Sequence, residues 1–216
     1  MPDLDFLVEG AELVPFSATP LLALTLRIRN RDARELIRGV ALQCQVQIEA
    51  PRRPYSPEEQ RDLVDLFGEP ERWGQTLRNT LWTHASINVA GFQDETTAQL
   101  PVPCTFDFGV TATKYFHALK GGVVPLCLLF SGTIFYDDDT RGIQIAPIPW
   151  NKEARYQLPA EIWKRAIDLH YPNSAWLRLR RDTFDRLHQY KMQLGVATWE
   201  EALERLLSPP VKEIPV

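Results

Sequence analysis

Residues 40–48 read VALQCQVQI, so apolar and polar side chains alternate along the whole stretch. The apolar set is Val40, Leu42, Cys44, Val46 and Ile48. A period of two residues is typical of a β-strand with one face on a core and the other in water. The stretch therefore predicts a half-buried strand.

Similar alternation recurs through the first 150 residues. Further strands are predicted at 4–15, 22–28, 81–89, 100–108, 124–136 and 142–148. Turn-forming residues separate these runs, as in KGG at 120–122. About seven to nine strands with spaced turns predict an antiparallel β-sandwich. The runs show no βαβ alternation and no glycine-rich phosphate loop, which argues against a nucleotide-binding α/β fold.

One short helix is expected as an insertion between these strands. Ser56 is followed by Pro57 and Glu59, which together form the capping box of a helix N-terminus. The apolar residues that follow end at Gly68, so the inserted helix is short.

The pattern changes after Trp150, where apolar residues recur every three or four positions. This period predicts about three helices, at about 160–170, at 180–193 and from 198 onward. The expected fold class is therefore α+β. We expect three parts: a β-sandwich domain over 1–150, a helical subdomain over 151–208 packed on it, and a flexible tail over 209–216.

Composition excludes several classes of protein. The chain has 216 residues, 44% of them hydrophobic, and a net charge of -4, so it lacks the basic excess that binds nucleic acid. The longest apolar run, 123–130, is too short to span a membrane. The N-terminus has no basic segment before its first apolar residues, and three widely spaced cysteines do not suggest disulfides. A cytoplasmic location is expected.

Residues that could carry chemistry are scattered. Cys44, Cys104 and Cys127 lie within apolar strand patterns and are expected to be inert core thiols. The four histidines show no metal-ligand spacing, and no nucleophile elbow occurs. We therefore predict no catalytic residue, no cofactor and no metal site, and we favour a non-enzymatic role. The acidic run 137–139 is interpreted as a hairpin tip, with calcium binding as the alternative.

Aromatic and basic residues suggest where a partner would bind. The candidate partner surface consists of Arg72, Trp73, Trp82, His84, Arg178, Arg180 and Arg181. The competing interpretation is structural, because tryptophans such as Trp150 could join the helices to the sandwich and the arginines could be a solvated helix start. Trp82 is expected on the polar face of its strand, beside His84.

Several short stretches, taken in order, resemble a known family. They are 66–68 (LFG), 72–74 (RWG), 100–105 (LPVPCT), 114–116 (KYF), 129–133 (LFSGT) and 147–150 (PIPW). The chain resembles a family of bacterial proteins of unknown function whose genes often lie beside those of nickel-iron hydrogenases. The resemblance implies a role in hydrogenase assembly or regulation, and it brings no catalytic residue.

We therefore expect a protein-binding accessory factor, with a hydrogenase subunit or maturation factor as its partner. One alternative is an enzyme or small-ligand-binding protein with a pocket between sheet and helices, formed by His84, Asp107 and His117. The other is a self-associating structural protein, since the sequence leaves the oligomeric state open.

Overall fold

The computed structural model describes residues 2–32, 35–104, 110–138, 140–174, 177 and 179–208. The chain divides into two compact units, Met1–Ser174 and Ala175–Val216. The tail predicted over 209–216 lies outside the described residues.

Eight strands form two antiparallel sheets in the described part of the chain, which confirms the predicted α+β class. Sheet A has the order β1 (Leu4–Leu13), β2 (Leu21–Asn30) and β5 (Glu95–Pro103). Sheet B has the order β4 (Thr80–Phe92), β3 (Ile37–Ile48), β6 (Val123–Asp138) and β7 (Gly142–Pro147). An eighth strand, β8 (Glu153–Pro159), pairs with the first half of β6, whereas β7 pairs with its second half.

Short helices fill the connections of the first unit. They are α1 (Pro57–Asp62), α2 (Val64–Phe67), α3 (Trp73–Thr76), α4 (Val110–Ala118) and α5 (Ala160–His170). The capping box predicted at Ser56 is present, but the helix after it is interrupted at Leu63, so the single predicted insertion becomes several short helices. Helix α4 and strand β8 were not predicted.

The core lies between the sheets, where the alternation of the sequence places it. In β2 and β3 the inward residues are 0–2% exposed: Leu22, Leu24, Leu26, Ile28, Val40, Leu42, Cys44, Val46 and Ile48. Phe6 of sheet A stacks on Phe130 of sheet B with ring centroids 4.2 Å apart. Burying this much apolar surface stabilises the fold by about 1.5–3 kcal/mol for each large side chain.

Helices α4 and α5 close one part of this core with aromatic rings. Phe116 of α4 stacks on Trp163 of α5, with ring centroids 4.8 Å apart and planes 8° from parallel. Both side chains are almost fully buried. Helix α5 therefore belongs to the same compact unit as the sheets.

The described part of the second unit contains two helices, α6 (Arg181–Leu194) and α7 (Trp199–Leu207). Helix α6 ends at Gly195, which adopts the left-handed conformation typical of a helix C-terminus. Thr198 caps α7 by accepting a hydrogen bond from the Glu201 N–H, and Phe184 and Trp199 contact each other across the pair. Among the described residues, no helix combines the length and the apolar character needed to cross a bilayer.

Candidate functional site

The outer face of sheet B carries a regular arrangement of side chains, most of them polar. Gln43 of β3 pairs with Ser86 of β4 on one side and with Ser131 of β6 on the other. Two residues further along β3, Gln45 pairs with His84 of β4 and with Leu129 of β6. Directly paired residues point to the same face of a sheet, with Cβ atoms about 4.5–5.5 Å apart. The pairing therefore brings these side chains into two adjacent rows.

A groove of about 610 Å³ lies over these rows. It is lined by Gln43, Cys44, Gln45, His84, Ala85, Ser86, Leu129, Phe130, Ser131 and Trp150. Cys44, Ala85 and Phe130 have buried side chains, so they line the floor through their backbones. Trp150 is 93% exposed and lies at the rim.

The turn that carries Trp150 is held in place from several directions. The Ile148 N–H donates to the Gly132 carbonyl at 2.9 Å, and the Phe130 N–H donates to the Lys152 carbonyl at 2.9 Å. The Lys152 ammonium forms ion pairs with the carboxylates of Asp3 and Asp5. Trp150 is therefore presented to solvent by a well-anchored turn.

The second feature of this sheet is the outer edge of β7, which no other strand of the described residues covers. Ile143 and Ile145 are 66% and 67% exposed, and Ile145 pairs with the partly exposed Phe135 on β6. The three side chains form an apolar patch, which we call the β7 patch. Exposed apolar side chains on an edge strand are unusual, because such an edge invites pairing with another chain.

The backbone hydrogen bonds between β6 and β7 show which N–H groups of β7 have no partner on β6. In an antiparallel pair, every second residue of a strand forms its backbone hydrogen bonds with a given neighbour. The Ile148 N–H donates to the Gly132 carbonyl, so the even-numbered residues of β7 bond to β6 and the odd-numbered ones do not. The N–H groups of Ile143 and Ile145 consequently point away from β6. Pro147 is the next outward position, and it has no N–H to offer.

The predicted partner surface is only partly assembled. Arg72 is exposed, whereas Trp73 is half-buried and its indole N–H donates to the Gly68 carbonyl at 2.8 Å. His84 is exposed and lines the groove. Arg180 and Arg181 are exposed in the second unit, and Arg180 forms an ion pair with Asp182. Arg178 lies outside the described residues.

The expected outward orientation of Trp82 is wrong. A register shift between Val46 and Gln47 of β3 falls opposite Trp82, which has no paired residue on that strand. The shift turns Trp82 inward, where it is 4% exposed and packs on Phe116 with ring centroids 5.0 Å apart. Trp82 therefore stabilises the core and offers nothing to a partner.

The residues of the alternative pocket occupy different places. His84 lies over the outer face of sheet B, whereas His117 lies on α4 with its ring edge against Trp163. Burial and the nearby ammonium of Lys164 lower the pKa of His117, while Asp168 opposes this. Asp107 lies outside the described residues.

The cysteines are free and buried. Burial raises the pKa of Cys44 and of Cys104 to about 12, so both stay protonated at neutral pH. Burial also raises the pKa of Cys127, helped by the neighbouring carboxylates of Glu153 and Glu49. In the described ranges no three His, Cys, Asp or Glu side chains converge as a metal-binding group.

The sequence interpretation missed the groove although its parts were visible. The alternation at 40–48 predicts that Gln43 and Gln45 lie on the solvent-exposed face of a strand, but it does not identify them as part of a site. The structural interpretation of the tryptophans, in which Trp150 joins the helices to the sandwich, does not apply to this residue, because it is almost fully exposed. The available signal was the recurrence of glutamine on the outward face of this strand, at positions 43, 45 and 47.

Fold and site together define an α+β protein with two antiparallel sheets, a polar groove and an open apolar edge. The chain belongs to DUF6084, a family of unknown function whose sequence profile matches residues 1–214. This confirms the expected membership in a family of unknown function. No curated protein sequence matches the chain.

Solved structures with partial similarity include three of different kinds. The solution structure of a putative late embryogenesis abundant (LEA) protein is 11% identical, with a TM-score of 0.31 over 74% of this chain and 73% of that one. DesR, a β-glucosidase from Streptomyces venezuelae, is 13% identical, with a TM-score of 0.28 over 73% of this chain and 15% of that one. The putative ApaA protein from Bordetella pertussis is 15% identical, with a TM-score of 0.24 over 73% and 93%.

Proposed function

We propose that this protein is a non-enzymatic, protein-binding accessory factor that uses the β7 patch. The observation that carries the proposal is the exposure of Ile143 and Ile145, 66% and 67%, on an edge strand with outward N–H groups. Such an edge can accept an extended segment of a partner as an additional strand. Main-chain hydrogen bonds would supply affinity, and the isoleucines would contact apolar side chains of the partner.

The partner we propose is a hydrogenase subunit or a hydrogenase maturation factor. The support is the resemblance to a family whose genes often lie beside those of nickel-iron hydrogenases. We further propose a cytoplasmic setting, since the three cysteines are free and such thiols are typical of a reducing compartment.

Because the β7 patch is apolar, introducing charges into it provides a specific test. The tagged full chain is used to capture partners in its native host, and the recovered hydrogenase-related protein is then titrated with purified variants. Ile143→Lys/Ile145→Lys should weaken binding at least about tenfold, because each lysine would place a charge in an apolar contact. Leu7→Lys/Leu81→Lys is the matched control, since both leucines are exposed on other strands, at 51% and 46%.

Two outcomes would overturn the proposal in different ways. Failure to recover any hydrogenase or maturation protein would remove the proposed partner class. Equal affinity of the Ile143→Lys/Ile145→Lys variant and the wild type would remove the β7 patch as the binding surface.

Self-association is a second candidate, favoured by the same open edge. Two copies of β7 could pair antiparallel about a two-fold axis and form one continuous sheet. Light scattering over a concentration series tests this directly. A concentration-dependent dimer that Ile143→Lys/Ile145→Lys abolishes would favour the second candidate, whereas a monomer at all concentrations would exclude it.

A further inference from the structure

A groove lies on the same sheet as the β7 patch, and its lining differs in chemistry from that patch. Seven described side chains line the groove over β3, β4 and β6: the polar residues Gln43, Gln45, Ser86, Ser131 and His84, the apolar Leu129, and Trp150 at the rim. Among the described residues that line it, none is Asp, Glu, Lys or Arg. Its volume of about 610 Å³ falls within the range of small-molecule sites, about 300–1,000 Å³.

The near absence of charged side chains in the described lining argues against a charged ligand. Within the described lining, no side chain offers a negative charge to an ammonium group, and His84 alone could offer a positive charge to a phosphate or a carboxylate, so a charged group would gain little to compensate the loss of its hydration. Glutamine amides and serine hydroxyls both donate and accept hydrogen bonds. They match a ligand whose groups also do both, and a neutral polyol has many such groups.

The exposed indole of Trp150 favours a ligand that has an apolar face. Its indole is 93% exposed, so it contributes little to the packing of the core. The turn that carries it is nevertheless fixed by the hydrogen bonds of Ile148 and Lys152 with β6 and by the ion pairs of the Lys152 ammonium. A flat apolar ring, carried on an anchored turn beside polar groups, suits a ligand with one apolar face and a polar rim.

We propose that this groove binds a neutral saccharide, with a sugar ring stacked on Trp150. Hydroxyl groups of the sugar exchange hydrogen bonds with Gln43 and Gln45, the central residues of the two rows. Ser86, Ser131 and His84 border the same rows and contact the remaining hydroxyls. The site is independent of protein binding at β7.

A peptide would be a less suitable occupant of this groove. Extended peptides bind most readily along an open strand edge, and the groove instead covers the face of three strands that are already paired.

The test uses the isotope-labelled full chain and nuclear magnetic resonance. The probes are three neutral trisaccharides (maltotriose, cellotriose and triacetylchitotriose), each titrated to about 10 mM, together with a neutral blocked peptide. We expect one of the trisaccharides to shift the Trp150 indole resonance and the side-chain amides of Gln43 and Gln45. Trp150→Ala should then weaken binding at least about tenfold.

Phe16→Ala is the matched control, because Phe16 is another fully exposed aromatic residue on a turn, away from the groove. It should bind the saccharide as the wild type does. Ile143→Lys/Ile145→Lys should also retain saccharide binding, which separates this site from the proposed protein-binding surface.

Three results would overturn the assignment. They are no resonance shift with any of the three trisaccharides, equal affinity of Trp150→Ala and the wild type, and a shift of the groove resonances by the peptide alone.

Discussion

Arg53 holds the carboxylate of Glu59 through two hydrogen bonds, from Nη2 to Oε1 at 2.8 Å and from Nη1 to Oε2 at 3.1 Å. Both side chains are less than a tenth exposed. Glu59 also accepts hydrogen bonds from the backbone N–H groups of Ser56 and Lys120. The pair therefore fastens the start of α1 to the turn that precedes β6.

Removing one partner of this pair should destabilise the protein. Glu59→Gln leaves the buried Arg53 guanidinium without its counter-charge, and we expect a loss of about 3–5 kcal/mol in the free energy of unfolding. Urea denaturation at pH 7 measures this loss. Glu58→Gln is the control, because Glu58 is 59% exposed and should change stability by less than about 1 kcal/mol. Equal effects of the two substitutions would contradict a role for the buried pair.

The same pair predicts how stability depends on pH. Burial alone would raise the pKa of Glu59, but hydrogen bonds from Arg53 and from the Lys120 and Ser56 N–H groups outweigh it and lower the pKa to about 2. Because the folded pKa is below the unfolded value of about 4.3, the stabilisation is complete above about pH 5 and is lost as the pH falls toward 2.

Urea denaturation between pH 7 and pH 2 tests this dependence. The stability difference between the wild type and Glu59→Gln should shrink by about 3 kcal/mol as the pH falls. A difference that stays constant over this range would show that the Glu59 carboxylate is not held in its charged form.

Gly132 is the second position where a small change should have a large effect. It has a φ of 134°, and a Cβ atom there would collide with the Ala41 carbonyl oxygen on the neighbouring strand. We expect Gly132→Ala to cost about 2–4 kcal/mol, because the backbones of β3 and β6 would have to separate. Gly10→Ala is the control, since a Cβ atom at Gly10 meets nothing within 4 Å. Thermal denaturation that ranks the two variants equally would contradict this close approach.

Trp82 and Trp150 should contribute very differently to the free energy of unfolding, because one lies in the core and the other on the surface. Trp82→Ala removes a buried ring from contact with Phe116 and should destabilise the protein by about 3–5 kcal/mol. Trp150→Ala removes an exposed ring and should change stability by no more than about 0.5 kcal/mol. If Trp150→Ala were the more destabilising variant in urea denaturation, the placement of both residues would be wrong.

What the sequence predicted well is what depends on local pattern. The alternation at 40–48 predicted the central strand β3, and the capping box at Ser56 predicted the start of α1. Both are properties of neighbouring residues, because a strand exposes alternate side chains and a helix must satisfy its first N–H groups. The sandwich followed from several such patterns in succession.

What the sequence did not predict depends on contacts between distant segments. Trp82 faces the core because of a register shift against β3, and Trp150 is exposed because its turn is anchored to β6. Strand β8 was missed because its buried residues, Ala154 and Leu158, alternate with charged and polar ones over only seven residues. Neither strand partners nor turn anchors can be derived from local periodicity.

If a partner adds a strand to β7, two backbone amide groups of β7 should become hydrogen-bonded. Ile143 and Ile145 have N–H groups that point away from β6, so their hydrogen exchange should be fast in the free chain. The decisive measurement is the exchange rate of these two amides with and without a saturating amount of the captured hydrogenase-related partner. Binding through an added strand predicts that both amides slow at least about tenfold, whereas unchanged rates in the saturated complex would contradict it.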